Sequence, residues 1–242
     1  MKSAVLMSGH FRSFERSFLE FKKILPQSDF YAFLLKSNNS HENDKNGVSD
    51  IESSIENVKN KNNFYYSFIE DEEIDMNQYR ICVDKLIHYP IPNKSKVEIT
   101  EKWLRQVSDY KKSFEWMSNH GKEYDIVYRI RPDLTIRVNE MVWNKNVDEN
   151  SFYCFQQNSY YNQVNDKFFY GEYKSMEKFM VNMIDSLKDD TIKNVSNSSF
   201  NVEQYLYRYL KYLNLDINLL SKDKLFMKKI SKGEEKCAGF KK

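Results

Sequence analysis

The sequence is short of the residues that most often betray a function. Its 242 positions hold only 6 glycines, 4 prolines and 3 cysteines. No glycine-rich GxGxxG turn or phosphate-binding P-loop occurs where the first loop falls. Cys82, Cys154 and Cys237 are far apart and form no CxxC pair, so neither a zinc site nor a disulfide framework is indicated. Three reduced thiols in a cytoplasmic protein fit this pattern. No apolar stretch approaches the ~20 residues that cross a bilayer. The early run Ala4 to Met7 is too short for a secretory h-region, so no leader is expected. Nor is there an excess of one charge. The formal net charge is +2 with both signs interspersed, which argues against a dedicated nucleic-acid binder and leaves room for a local phosphate pocket.

What is present is apolar punctuation of α/β type. Ala4 to Met7 reads as a buried strand, and Phe14, Phe18, Phe21 and Leu25 follow at helical spacing until Pro26. Phe30 to Leu35 is a second buried strand, so the chain opens with a βαβ unit and a parallel pair. Residues 37–63 are polar and read as a variable insertion, with room for one short helix near Ile51 to Val58. Phe64 to Ile69 is a third strand. A long helix is expected from Thr100, with Trp103, Val107, Tyr110, Phe114 and Met117 as its stripe. Strands are expected at Asp125 to Leu134, Phe152 to Phe155 and Asn165 to Gly171, and helices at Met176 to Leu187 and Asn201 to Leu213. The expected fold is a Rossmann-like α/β domain over residues 1–230, an open, mostly parallel sheet flanked by helices. Residues 231–242 read as a flexible tail.

Two loops attract attention. Ser8-Gly9-His10-Phe11-Arg12-Ser13 leaves the carboxyl end of the first strand, where open α/β sheets place ligands. A helix N-terminus there offers free N–H groups to an anion, Gly9 permits close approach, and Arg12 can fork onto a phosphate. A plain capping turn with a surface arginine is the alternative. His10 is the only histidine beside this loop; His41, His88 and His120 read as loop or helix-end residues. In the second segment, alternation puts Arg129, Arg131 and Asp133 on one face, and Pro132 must end the strand. Two guanidiniums and a carboxylate are costly to bury unless paired or facing a ligand. Arg131 suits phosphate, and Asp133 suits a divalent metal or a sugar hydroxyl. An internal Arg–Asp pair is the alternative. Asp166 and Glu203 are candidate bases for drawing a proton from a hydroxyl. For Glu203 a simple first-turn helix acid is the competing explanation.

In order, these pieces are Val5 to Phe14, a helix bearing Gln106 and Lys111-Lys112, Tyr124-Asp125-Ile126-Val127-Tyr128-Arg129-Ile130-Arg131-Pro132-Asp133-Leu134, Asp166-Lys167-Phe168-Phe169-Tyr170-Gly171 with Met176, and Glu203-Gln204-Tyr205-Leu206. That order resembles small bacterial and viral glycosyltransferases of the GT-A-like kind, which are associated with lipopolysaccharide, capsule or other surface glycans. The resemblance spans most of residues 1–215. It implies a GT-A-like fold, a nucleotide-sugar donor (UDP- or GDP-linked) over the first βαβ half, and a glycan acceptor. It implies donor-site roles for Ser8, Gly9, His10, Arg12, Gln106, Lys112, Arg129, Arg131 and Asp133, and catalytic roles for Asp166 and Glu203. For Lys112 a solvated helix lysine is the alternative. Arg131-Pro132-Asp133 stands where that family carries its Asp-x-Asp metal motif, with Arg131 replacing the first carboxylate. A divalent cation, Mg or Mn, at Asp133 is therefore an open expectation. An arginine can neutralise a diphosphate leaving group instead.

Two other functions compete. A βαβ start also suits an S-adenosylmethionine-dependent methyltransferase, although the first loop lacks the glycine-rich turn expected there. A non-catalytic glycan- or protein-binding module would use the many tyrosines for stacking, although tyrosines at helical spacing more often pack in a core.

Overall fold

The computed structural model describes residues 1–10, 14–35, 48–61, 63–70, 73–87, 94–132, 134–138, 147–158, 163–220 and 225–229. In chain order the elements are β1 (Ser3–His10), α1 (Phe14–Ile24), β2 (Asp29–Leu35), α2 (Val48–Lys59) and β3 (Phe64–Ile69). A 3₁₀ turn (Met76–Tyr79), α3 (Arg80–Lys85), α4 (Lys96–Ser118), β4 (Ile126–Ile130) and β5 (Leu134–Val138) follow. The remainder is β6 (Ser151–Asn158), β7 (Gln163–Glu172), α5 (Tyr173–Ser186), α6 (Ile192–Val195), α7 (Val202–Tyr212), β8 (Asp216–Leu220) and β9 (Leu225–Lys229).

A 7-stranded sheet runs β3-β2-β1-β4-β7-β6-β8 among the described residues. β3, β2, β1 and β4 are mutually parallel. β7 runs antiparallel to both β4 and β6, and β8 is parallel to β6. The fold is the expected single-domain, Rossmann-like α/β architecture. β5 and β9 pair as a separate antiparallel ribbon. It lies against α1, where the Ser17 hydroxyl donates to the Leu134 carbonyl.

The two faces of the sheet are filled by different helices. Strand alternation sends Val5 and Met7 to one side, where they pack with Phe14, Phe18 and Phe21 of α1 and Ile55 and Val58 of α2. It sends Ala4 and Leu6 to the other, against α4, α5 and α7 through Val107, Tyr110, Phe114, Phe179 and Tyr205. The chain therefore winds β1-α1-β2-α2-β3 outward on one face. It then returns through α4 on the opposite face to set β4 on the other side of β1. The winding direction reverses between β1 and β4.

Residues 37–63 are not simply an insertion. They contain α2, the crossover between β2 and β3, with Ile55 and Val58 buried. Its apolar positions are few among Ser, Asp, Glu, Asn and Lys, so the stripe is thin and easily read as a loop. α4 begins four residues before Thr100. Ser95 and Glu98 form a capping box, with the Glu98 amide donating to Ser95 Oγ at 3.2 Å and the Ser95 amide to Glu98 Oε2 at 2.7 Å. The segment 125–134 is not one strand. β4 stops at Ile130, and the Leu134 amide bonds to the Arg131 carbonyl at 3.1 Å, closing a turn with Pro132 at its second position. Gly171, in the middle of the sheet, is dictated by packing: a Cβ there would lie 2.6 Å from the Ser151 carbonyl oxygen. Cys82 and Cys154 are buried and free. Cys237 and the expected tail at 231–242 lie outside the described residues. Among the described residues no helix is long and apolar enough to cross a membrane.

Candidate functional site

In an open α/β sheet the loops leaving the carboxyl ends of two neighbouring strands part company where the winding direction reverses, and they leave a crevice there. Here those strands are β1 and β4, paired in parallel with Met7 beside Ile130. Two residues further on, Gly9 lies against Pro132, and a Cβ on Gly9 would stand 3.7 Å from the Pro132 Cδ. Gly9 has φ +127°, a conformation that side chains rarely adopt, so a glycine is required by the backbone and leaves the chain open to close approach. The two segments singled out in the sequence thus converge on one seam.

Beneath that seam lies Arg129, only 1 % exposed. Its position on β4 turns it toward the α4 face. Nε donates to Ser8 Oγ at 3.4 Å, Nη2 donates to the Ser8 carbonyl at 3.3 Å, and Nη1 donates to the Asp166 carbonyl. The guanidinium carbon lies 4.5 Å from the Tyr110 ring centroid and 5.5 Å from that of Phe169. Removing an ion from water costs several kcal/mol. Charge-assisted hydrogen bonds contribute about 1.5–3 kcal/mol each, and desolvated cation–π contacts about 2 kcal/mol, so this lining offsets much of that cost.

The antiparallel direction of β7 brings its early residues to the carboxyl edge of β4. The Arg131 amide donates to the Lys167 carbonyl at 2.9 Å, extending the pairing one step past the strand end. Asp166 is held there by α4. Gln106 Nε2 donates to Asp166 Oδ2 at 3.1 Å and to the Tyr110 hydroxyl at 2.7 Å, and that hydroxyl donates on to the Asp166 carbonyl at 3.4 Å. Gln106 and Tyr110 sit one helical turn apart, so one face of α4 grips both the arginine and the carboxylate. Burial raises the Tyr110 phenol above its ordinary pKa; the Arg129 and Arg131 guanidiniums oppose that rise and the Asp166 charge adds to it. Arg131 and Asp166 are therefore both within electrostatic reach of the same hydroxyl.

Glu203 enters from the first turn of α7, which packs against β7. The helix starts there because Asn201 and Gln204 cap each other: the Gln204 amide donates to Asn201 Oδ1 at 2.8 Å and the Asn201 amide to Gln204 Oε1 at 3.1 Å. Burial holds the Glu203 carboxyl above the usual glutamate range; the Asp166 charge adds to this, while its own backbone amide and Lys167 pull the other way. A partly buried acid that keeps its proton more tightly than an ordinary glutamate, beside a second carboxylate, is suited to exchanging protons.

The structure thus brings Ser8, Gly9, Gln106, Arg129, Arg131, Asp166 and Glu203 to one edge. Arg129, expected to meet the ligand, is instead covered by the protein, because alternation aims it into the α4 layer. Lys112 does not join the group: six residues beyond Gln106, it is turned about 240° around the helix and displaced about 9 Å along it. Arg12 and Asp133 lie outside the described residues, as does the side chain of His10, whose backbone ends β1 opposite Leu35. Tyr110, Phe169 and Lys167 are given no site role by the sequence, which places Tyr110 only in the apolar stripe of α4 and Lys167 and Phe169 only within a motif. The one available signal was the four-residue spacing of Gln106 and Tyr110.

No group of three or more His, Cys, Asp or Glu suited to a metal ion occurs among the described residues. At the seam the described carboxylates are Asp166, already held by Gln106, and Glu203. Two guanidiniums beside them disfavour a divalent cation electrostatically. Asp133, the residue expected to hold such an ion, lies outside the described residues. Compared with known protein families and with curated proteins, the chain matches none.

Proposed function

We propose that this chain is a glycosyltransferase that moves a sugar from a UDP- or GDP-linked donor to a hydroxyl of a glycan acceptor. One observation carries the reading. A glycine at the end of β1 meets the Arg131-Pro132 turn at the end of β4, and a raised-pKa glutamate and a fixed aspartate stand beside them. Gly9 admits the diphosphate close to the backbone, and Arg131 offsets its charge as the leaving group departs. Arg12 and Asp133 belong to the same two loops and are assigned to the diphosphate and the donor sugar or ribose. Asp166 orients the sugar. Glu203 accepts the acceptor's hydroxyl proton as that oxygen bonds the anomeric carbon. The bond from that carbon to the diphosphate oxygen breaks, and its electron pair leaves with the nucleotide. The resemblance to enzymes of lipopolysaccharide and capsule assembly directs the acceptor screen toward surface glycans, with the cytoplasm as the site of the reaction.

A melting-temperature screen tests this directly. A ligand at a hundred times its Kd adds about 2.7 kcal/mol. At this chain length that is a rise of roughly 5–11 °C. UDP- or GDP-sugars are expected to give it, and Arg131→Ala and Asp133→Ala to diminish it. A response to S-adenosylmethionine instead would identify a methyltransferase. A response to neither, with retained glycan binding, would identify a binding module.

A further inference from the structure

Arg129 is the only charged side chain among the fully buried described residues. Among the described residues every group it touches is neutral: one hydroxyl, two carbonyls and two aromatic faces. Among the described residues no carboxylate forms an ion pair with it. Neutral groups solvate a guanidinium but do not cancel its charge, and low surrounding polarity lets that charge act over a distance. Bracing these oxygens requires a hydrogen-bond donor but not a full positive charge.

The carbonyls it holds point to the second task. Ser8 immediately precedes Gly9, and Asp166 starts the functional part of β7, so Arg129 ties the two walls of the seam to β4 from below. We propose that Arg129 is the positioning residue of the anion site: it fixes the Ser8–Gly9 turn and the start of β7, and its buried positive charge is balanced by a diphosphate bound above Gly9. The assignment of that anion to a nucleotide-sugar diphosphate rests on the function proposed above. The positioning role does not, and inorganic pyrophosphate tests it alone.

The full chain is titrated with pyrophosphate, UDP and GDP by calorimetry, for the native protein, Arg129→Met and Arg129→Lys. Tyr124→Phe, at the opposite edge of the sheet, is the control. Arg129→Met is expected to weaken pyrophosphate at least ~10-fold. Arg129→Lys, which keeps the charge and loses the fork, recovers part of that loss, which a purely structural role would not produce. A folded Arg129→Met variant that binds pyrophosphate as tightly as the native chain overturns the proposal. If that variant does not fold, amide exchange of the native protein decides. Pyrophosphate must slow the amides of Gly9, Arg131 and Lys167, and leaving all three unprotected overturns it equally. Arg129-dependent pyrophosphate binding with no affinity for any nucleotide sugar would refute the proposed function and leave this inference standing. Nucleotide-sugar binding indifferent to Arg129→Met would do the reverse.

Discussion

Gly9 and Pro132 touch across the seam between β1 and β4, with 3.7 Å separating the Pro132 Cδ from the place a Gly9 Cβ would occupy. This contact joins two stretches far apart in the chain at the point where the sheet changes winding direction. The account of the site depends on it.

Gly9→Ala tests the backbone directly. There is room for a methyl group at 3.7 Å, so the cost is conformational: φ +127° is strained for any residue with a Cβ. A strained residue of this kind costs about 1–3 kcal/mol. Calorimetry should show a melting temperature lower by several degrees, together with weaker nucleotide binding. An unchanged melting temperature would mean that the turn is relaxed in solution.

Glu203 carries a pH signature. Its folded-state pKa is raised, first by burial and then by the Asp166 charge. The folded protein therefore holds this proton more tightly than the unfolded chain. That contribution to stability is complete below the ordinary glutamate pKa and is lost as pH rises through the raised value. Glu203→Gln should match the native melting temperature in acid and exceed it near neutrality. In transfer assays the acidic limb of kcat/KM should lie above the ordinary glutamate range, and the variant should lose about 10²–10⁴-fold in rate. Asp166→Asn removes the neighbouring negative charge, so the limb of its residual activity should move to lower pH.

Gln106→Leu separates positioning from binding. The amide of Gln106 holds Asp166 Oδ2 and the Tyr110 hydroxyl. Without it the carboxylate is free to swing, and misplacement of this order costs up to about 10²-fold in rate. The expected result is a fall in kcat with a smaller change in donor affinity, read from steady-state kinetics beside calorimetric Kd values.

Tyr124→Phe examines the far edge of the sheet. Tyr124 shares a 2.6 Å hydroxyl contact with Tyr31 and donates to Asp29 Oδ2 at 2.7 Å. Lys122 bonds the same oxygen at 2.8 Å and the Tyr65 hydroxyl at 2.7 Å. Removing one hydroxyl from this half-buried network is expected to cost about 1–3 kcal/mol of stability. Nucleotide binding should be unaltered, because the network braces the amino-terminal ends of the strands. A loss of binding equal to that of Arg131→Ala would place the ligand at this edge.

The parts of the fold with strong periodicity were legible in the sequence. The FYAFLL and FYYSFI runs became β2 and β3, and the stripe from Trp103 to Met117 became the buried face of α4. Elements whose apolar signal is thin were harder. α2 rests largely on Ile55 and Val58, and β8 is half exposed and specified by its pairing with β6 rather than by its own residues. The start of α4 was misplaced because Thr100 resembles a cap, whereas the reciprocal Ser95–Glu98 pair is the one that forms. At the site, the convergence of the Gly9 and Arg131 segments followed from topology, since both leave the carboxyl ends of strands. The burial of Arg129 did not follow. An alternating pattern tells which residues share a face, but not that α4 and β7 cover that face with Tyr110 and Phe169.

The most direct measurement is a crystal structure of the chain with UDP or GDP. The account predicts the diphosphate at the seam, with oxygens in hydrogen-bonding range of the Gly9 amide and the Arg131 guanidinium, and Arg129 still buried beneath. A diphosphate bound away from that seam, for instance at the Tyr31–Tyr124 edge, would contradict it.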